Sequence, residues 1–244
     1  MCGISGFVSV SELTPEDRQS VVDMTRRLTH RGPDDEGFFF DRFAALGSRR
    51  LSIIDITGGR QPISSENGTL QVVYNGEIYN HQDLREGLEK RGHRFKTSSD
   101  TEVLVHAYEE HGREMIQSLN GIFAFAIWDS VRRTLLLARD PLGVKPLYYA
   151  EHGEHLVFAS EIKALLRLPF LPREVDEESF ELFLAYRFVP SPRTAFRGIR
   201  KLGPGELLSR DAGGNVEIRR YAPAPPTPTE NAGKRNGPRS WCPR

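Results

Sequence analysis

The stretch that decides the reading is Met1-Cys2-Gly3, which runs straight into a weakly alternating apolar segment over residues 3–10 that predicts a first strand. A small residue at position 2 permits removal of the initiator methionine, which leaves cysteine as the N-terminus. That residue then carries a thiol and a free α-amine, with unperturbed pKa values of roughly 8.5 and roughly 8. A nucleophile activated by an N-terminal amine is an established arrangement. From these three residues alone, the plainer reading of Cys2 is the favoured one, a small hydrophobe at the head of a buried strand. The rest of the chain must decide between the two.

Composition narrows the classes. The chain has 244 residues, 38% hydrophobic and 27% charged, which describes a globular protein of one large domain or two small ones. Lys plus Arg equals Asp plus Glu at 33 each, so no global field favours nucleic acid or a membrane surface. No apolar run approaches the roughly 20 residues of a membrane span, and the N-terminus does not read as a signal peptide. Two cysteines, Cys2 and Cys242, make no disulfide framework, so the expected compartment is the reducing cytoplasm. The one close histidine pair, His152 and His155, sits in a charged turn with no further ligand nearby, and no metal site is expected.

Working outward, Thr14-Pro15-Glu16-Asp17 predicts a helix start, with Val21, Val22, Thr25 and Leu28 on one side of a helix reaching about Leu28. His30-Arg31-Gly32-Pro33-Asp34-Asp35 breaks it. Strands are expected over 37–40, 44–47, 51–54 and 70–74, and helical character over 81–91. Ser99 with Glu102 predicts a capping box opening a helix through Tyr108. Residues 121–129 are apolar on both alternating faces and predict a strand buried on both sides. Strands at 135–139, 146–150 and 156–160 follow at hairpin spacing, then helices at 161–168 and 176–187, and a hairpin around Gly213-Gly214. Many strands with flanking helices and no regular alternation predict an α+β layered domain. From Ala222 onward, proline, polar and basic residues without periodicity predict a disordered tail over 222–244.

Three segments carry candidate chemistry, each with a plain structural alternative. Arg49-Arg50 precedes the expected strand at 51–54. Arg50 is either a surface arginine or a clamp for a carboxylate, which a guanidinium binds through two parallel hydrogen bonds. Asn75-Gly76 is the strongest short hairpin signal. Yet Glu77-Ile78-Tyr79-Asn80 leads into a helix, so the Asn75 amide and Gly76 N–H could instead face a developing oxyanion, a donor being worth about 3–4 kcal/mol. Asp100 suits the start of a helix through the dipole, or could hold a substrate ammonium with Ser99 serving as the cap. Together these parts describe a site for an amino acid with a side-chain carbonyl. Gly203-Pro204-Gly205 lacks the spacing of a phosphate-binding loop.

Met1-Cys2-Gly3-Ile4, His30-Arg31-Gly32-Pro33-Asp34, Arg50-Leu51-Ser52-Ile53, Tyr74-Asn75-Gly76-Glu77-Ile78-Tyr79-Asn80, Ser99-Asp100-Thr101-Glu102 and Arg139-Asp140-Pro141-Leu142-Gly143 occur in that order. This set resembles the glutaminase domain of glutamine-dependent asparagine synthetases, the class II glutamine amidotransferases, over about residues 2–221. The resemblance implies an N-terminal-nucleophile hydrolase fold, a four-layer αββα sandwich of two antiparallel sheets. It implies Cys2 as nucleophile with its own amine as base, Asn75 and Gly76 as the oxyanion hole, and Arg50, Ile54, Glu77 and Asp100 around glutamine, with Arg31 standing behind them. Hydrolysis to glutamate and ammonia then needs no cofactor and no metal.

Family synthetases continue into an ATP pyrophosphatase domain with a Ser-Gly-Gly-x-Asp-Ser loop that activates aspartate with ATP and Mg. No such stretch occurs in this sequence, so the expectation is a truncation or a shifted frame near Tyr221, with asparagine formation not supplied by this chain alone. The expected partners are glutamine and either a second copy of the chain or a synthetase domain. The competing expectations are a non-catalytic module that associates with a synthetase-bearing chain, and an amidotransferase for an acceptor other than aspartate.

Overall fold

The structure, a computed structural model, describes residues 1–52 and 58–223. The chain opens with β1 (Gly3–Ser9), α1 (Pro15–Arg26), β2 (Asp35–Phe40) and β3 (Ala44–Arg50). Then come β4 (Ile63–Ser64), β5 (Leu70–Ile78), α2 (His81–Glu89), α3 (Thr101–His111) and a 3-10 segment (Gly112–Ser118). The second half holds β6 (Gly121–Asp129), β7 (Thr134–Arg139), β8 (Tyr148–His152), β9 (His155–Ala159), α4 (Ile162–Leu165), α5 (Glu177–Tyr186), β10 (Ile199–Lys201), β11 (Glu206–Arg210) and β12 (Val216–Arg220).

The two-sided apolar run of β6 dictates the layering. Successive strand side chains point to opposite faces, so Phe123, Phe125 and Ile127 face one way and Ala124, Ala126 and Trp128 the other. The first set packs with Val103, Leu104 and Ala107 of α3. The second set packs with Ile4 and Val8 of β1, Leu46 of β3 and Phe158 of β9, which belong to the other sheet. On that sheet's far side, Phe7, Ala45 and Val157 bury Val21, Met24 and Leu28 of α1 and its following turn. Helix, sheet, sheet, helix is the result. The sheets run β10-β8-β9-β1-β3-β2 and β12-β11-β7-β6-β5-β4, with antiparallel pairing throughout. This is the expected α+β four-layer sandwich.

Several local expectations are met and others corrected. Thr14 and Asp17 form the full capping box that starts α1, although Met24 joins Val21, Thr25 and Leu28 on its buried side and Val22 is only half-buried. Asn75-Gly76 makes no hairpin: β5 runs through both residues to Ile78, paired with β6 all the way to Gly121. Ser99 and Glu102 form no capping box. The Glu102 carboxylate instead accepts from the Lys96 and Thr97 N–H groups at 2.7 Å each, fixing the loop before α3, and Asp100 is the residue at the cap position. Arg50 ends β3, and Leu51 and Ser52 add no strand. The expected strand at 51–54 and the Ile54 contact otherwise lie outside the described residues, as does the tail from residue 224 on. Among the described residues no helix is long and apolar enough to cross a membrane.

Candidate active site

At one end of the space between the sheets, Cys2, Arg50, Asn75, Gly76, Glu77 and Asp100 line a single cleft, joined by Met1, Gln61, Tyr74 and Lys145. These residues come from the N-terminus just before β1, the end of β3, the segment before β4, the second half of β5, the entry to α3 and the loop after β7. Pairing between β1 and β3 sets Gly3 opposite Arg49, which brings the ends of the two strands together. The Cys2 sulfur is half-buried and lies 3.8 Å from the Leu51 carbonyl oxygen.

Cys2 is braced from behind. The Arg31 guanidinium donates from Nε to the Cys2 carbonyl at 2.9 Å and from Nη1 to Glu161 at 2.9 Å. His30 and Lys163 meet the same carboxylate at 2.9 and 3.1 Å. Burial alone would raise the Glu161 carboxyl, but the hydrogen bonds from Arg31, His30 and Lys163 outweigh it and hold it at about 2. Gly32 is a close approach: a Cβ there would sit 2.4 Å from the Arg49 carbonyl carbon and 2.5 Å from the Arg50 nitrogen, so any side chain would push β3 away.

Neither arginine of the pair is a surface residue. Arg49 is buried and occupied, donating to the Gly32 carbonyl at 2.8 Å, to Glu36 at 3.1 Å and to the Pro33 carbonyl at 3.2 Å. Arg50, its neighbour on an extended strand, points the opposite way and reaches the cleft. Asp34 secures this corner, its N–H donating to the Arg50 carbonyl at 3.1 Å while its carboxylate accepts from the Ser52 N–H at 2.8 Å.

Asn75 is 1% exposed, and its side-chain Nδ2 has no hydrogen-bond partner among the described residues. A buried donor left unmet costs about 1–3 kcal/mol. Gly76 beside it is required by packing, since a Cβ would lie 2.4 Å from the Ile122 carbonyl oxygen and 2.7 Å from the Phe123 Cα. Also in the cleft, Asp100 accepts from the Tyr74 hydroxyl at 2.8 Å and from the Ile78 N–H at 3.0 Å. Burial and the Asp100 charge push the Tyr74 hydroxyl well above its ordinary value, so it stays a donor. Burial, then Asp100, also raises the Glu77 carboxyl, with the Lys145 ammonium partly opposing. The cleft therefore holds an acidic pair, Asp100 and Glu77, together with the Arg50 guanidinium. That combination suits a zwitterionic amino acid.

Residues 1–222 match the family of glutamine amidotransferase domains. The chain belongs to that family. It is 41% identical over 224 residues to asparagine synthetase [glutamine-hydrolyzing] 3 of Bacillus subtilis, covering 91% of this chain and 36% of that protein. A second synthetase of the same bacterium is 40% identical, covering 91% and 35%, and one of Arabidopsis thaliana is 43% identical, covering 68% and 28%. The chain thus spans about a third of the length of the curated relatives it matches. Among solved structures, the glutamine phosphoribosylpyrophosphate amidotransferase of B. subtilis superposes with a TM-score of 0.64 at 24% identity, covering 91% of this chain and 49% of that one. A structure of the allosteric regulatory enzyme of purine biosynthesis gives 0.67 at 24%, with the same coverage. These two share the fold, that of the N-terminal-nucleophile amidotransferases.

Within this amidotransferase domain, the structure brings together every cleft residue expected from the sequence except Ile54, which lies outside the described residues. It also adds four that the sequence reading did not single out. Tyr74 and Gln61 support the cleft from inside, the Gln61 Oε1 accepting from the Tyr74 N–H at 2.7 Å. Lys145 is carried in by the Asp140 loop, and Glu161 acts through Arg31. Tyr74 was the most accessible of these, being adjacent to Asn75. Gln61 and Glu161 carried no local signal, because each acts only through a partner distant in sequence.

Proposed function

We propose that this chain hydrolyses glutamine to glutamate and ammonia, with Cys2 as nucleophile once Met1 is removed. The freed α-amine takes the thiol proton as the sulfur attacks the side-chain carbonyl carbon. The carbonyl oxygen, now an oxyanion, takes its hydrogen bonds from Asn75 Nδ2 and the Gly76 N–H. Arg50 holds the substrate carboxylate, and Asp100 with Glu77 holds the ammonium. Collapse of the tetrahedral intermediate breaks the C–N bond, the amine-held proton goes to the departing nitrogen, and ammonia leaves. Water then cleaves the γ-glutamyl thioester, returning the thiol. No cofactor or metal enters this sequence.

The observation that carries the reading is the unmet, fully buried Asn75 Nδ2 beside Cys2 in one cleft. That donor has no partner among the described residues, and a developing oxyanion supplies one. We further propose that the ammonia serves ATP- and Mg-dependent asparagine formation in a synthetase portion, in cis or on an associated chain in the cytoplasm. The similarity to glutamine-hydrolyzing asparagine synthetases supports this assignment. The test is glutamate release from glutamine by the purified chain, with and without ATP and aspartate. Release that is lost in Cys2→Ala is expected, and unchanged release in that variant would end the thiol mechanism.

A further inference from the structure

Two histidines converge on the outer side of the α2–α3 layer, away from the cleft. His106 lies on α3 and is 1% exposed, and His93 lies in the loop after α2, with ring centroids 4.9 Å apart. Glu66, in the turn between β4 and β5, completes a triangle: one ligand atom from each of Glu66, His93 and His106 lies within 4.8 Å of the others. Each imidazole is oriented by a carboxylate. His106 Nδ1 meets Glu109 at 2.9 Å, and His93 Nε2 meets Glu110 at 2.9 Å. A carboxylate on one ring nitrogen fixes the proton there and leaves the other nitrogen as an electron-pair donor, the arrangement common behind metal-bound histidines.

The free nitrogens have little else to do. His106 Nε2 is buried and has no hydrogen-bond partner among the described residues. The nearest carboxylate oxygen, Glu102 Oε1 at 3.7 Å, already accepts from the Lys96 N–H at 2.7 Å. His93 Nδ1 stands 3.5 Å from Glu109. Glu66 is exposed, and its carboxylate accepts from the Arg94 N–H at 2.7 Å. A plain ion-pair network would explain the Glu109 and Glu110 contacts, but it leaves a buried ring nitrogen unmet.

We propose that Glu66, His93 and His106 bind a divalent zinc ion, with Glu109 and Glu110 orienting the imidazoles and a fourth position open to solvent. Two imidazoles and a carboxylate are a borderline donor set of the kind zinc accepts. Ligands at about 2.0–2.1 Å from a tetrahedral centre must close to about 3.3 Å from one another. Glu66, exposed on its turn, and His93, in its loop, can supply that movement. The ion would fasten the Glu66 turn and the loop carrying His93 to α3, the helix whose first residue follows Asp100.

The test uses the metal-stripped, tag-free chain with both cysteines changed to serine, so that neither thiol can chelate. Zinc is titrated by calorimetry, and cobalt is followed by its tetrahedral absorption bands. One zinc per chain is expected, with a raised Tm that magnesium does not reproduce. Glu109→Gln should weaken binding by about 10–100-fold, as loss of an orienting partner does, and Glu66→Gln and His93→Gln should weaken it further. Both of those ligands lie outside the buried core, so the test survives if His106→Gln fails to fold. The absence of saturable one-to-one binding would overturn the assignment, as would equal affinity in Glu66→Gln and His93→Gln.

Discussion

Two polar regions of this molecule come from equally conspicuous stretches of sequence, and folding treats them in opposite ways. At the end of β7, Arg139 donates to the carbonyls of Lys145, Leu202 and Gly143 at 2.6–2.7 Å. Asp140 accepts from the N–H groups of Leu142, Val144 and Lys145 at 3.0–3.1 Å. Gly143 sits at φ +65°, where a side chain would be strained and would crowd the Arg139 guanidinium. Donors and acceptors there serve one another. In the cleft, Asn75 is equally buried and has an unmet donor. The difference teaches how to read a polar stretch. Where the groups satisfy one another, the residues build structure; a buried donor left over in a cleft lining, as at Asn75, is available to a ligand.

The comparison can be broken from either side. The largest expected effect is Cys2→Ala, which should lower glutamine turnover by about 10⁴-fold or more, in line with removal of other catalytic nucleophiles. Asn75→Ala should follow, lowering kcat by about 10²–10³-fold. Its urea midpoint should hold steady or rise, because the substitution removes an unmet buried donor. A clear loss of stability in Asn75→Ala would contradict the reading. Arg139→Ala should behave in reverse, costing about 3 kcal/mol of stability in urea unfolding as three carbonyls lose their partner. At temperatures where it remains folded, its turnover should fall far less than that of Asn75→Ala.

The smallest effect concerns the brace behind Cys2. Glu161 in the folded chain titrates at about 2 against an ordinary value near 4.5. A lowered folded-state value means its contribution to stability is fully present above about pH 4.5 and fades as pH falls toward 2. Glu161→Gln should therefore cost about 1–2 kcal/mol at neutral pH and flatten the stability profile between pH 4.5 and 2. A parallel, unflattened profile would show that the Arg31–Glu161 pairing contributes nothing.

Much of this was legible in residues whose signals are local. Thr14-Pro15-Glu16-Asp17 announced α1 because capping chemistry is contained within four residues. The double-sided apolar run at 121–129 announced a strand between two layers, because burial on both faces leaves no polar alternation. The cleft residues were legible as an ordered set of short stretches. What failed was local reading of groups whose partners are remote. Asn75-Gly76 has the form of a turn, but the long pairing of β5 with β6 overrides it. Glu102 is spaced for Ser99, yet its carboxylate reaches the Lys96 and Thr97 N–H groups. Glu161 stands 130 residues from Arg31 in sequence, and no window along the chain contains both. The Glu66, His93 and His106 triangle escaped for the same reason, being assembled from three separate segments.

The account rests on a thioester formed at Cys2, and that species can be seen. The chain is mixed with glutamine and quenched in acid within the first turnovers, and the N-terminal peptide is weighed by mass spectrometry. The prediction is a peptide that begins at Cys2, lacks Met1 and carries one γ-glutamyl group, with more of it in a variant slowed at the hydrolysis step. A Cys2 peptide that stays unmodified while glutamate accumulates, or one that retains Met1 in active protein, would contradict it.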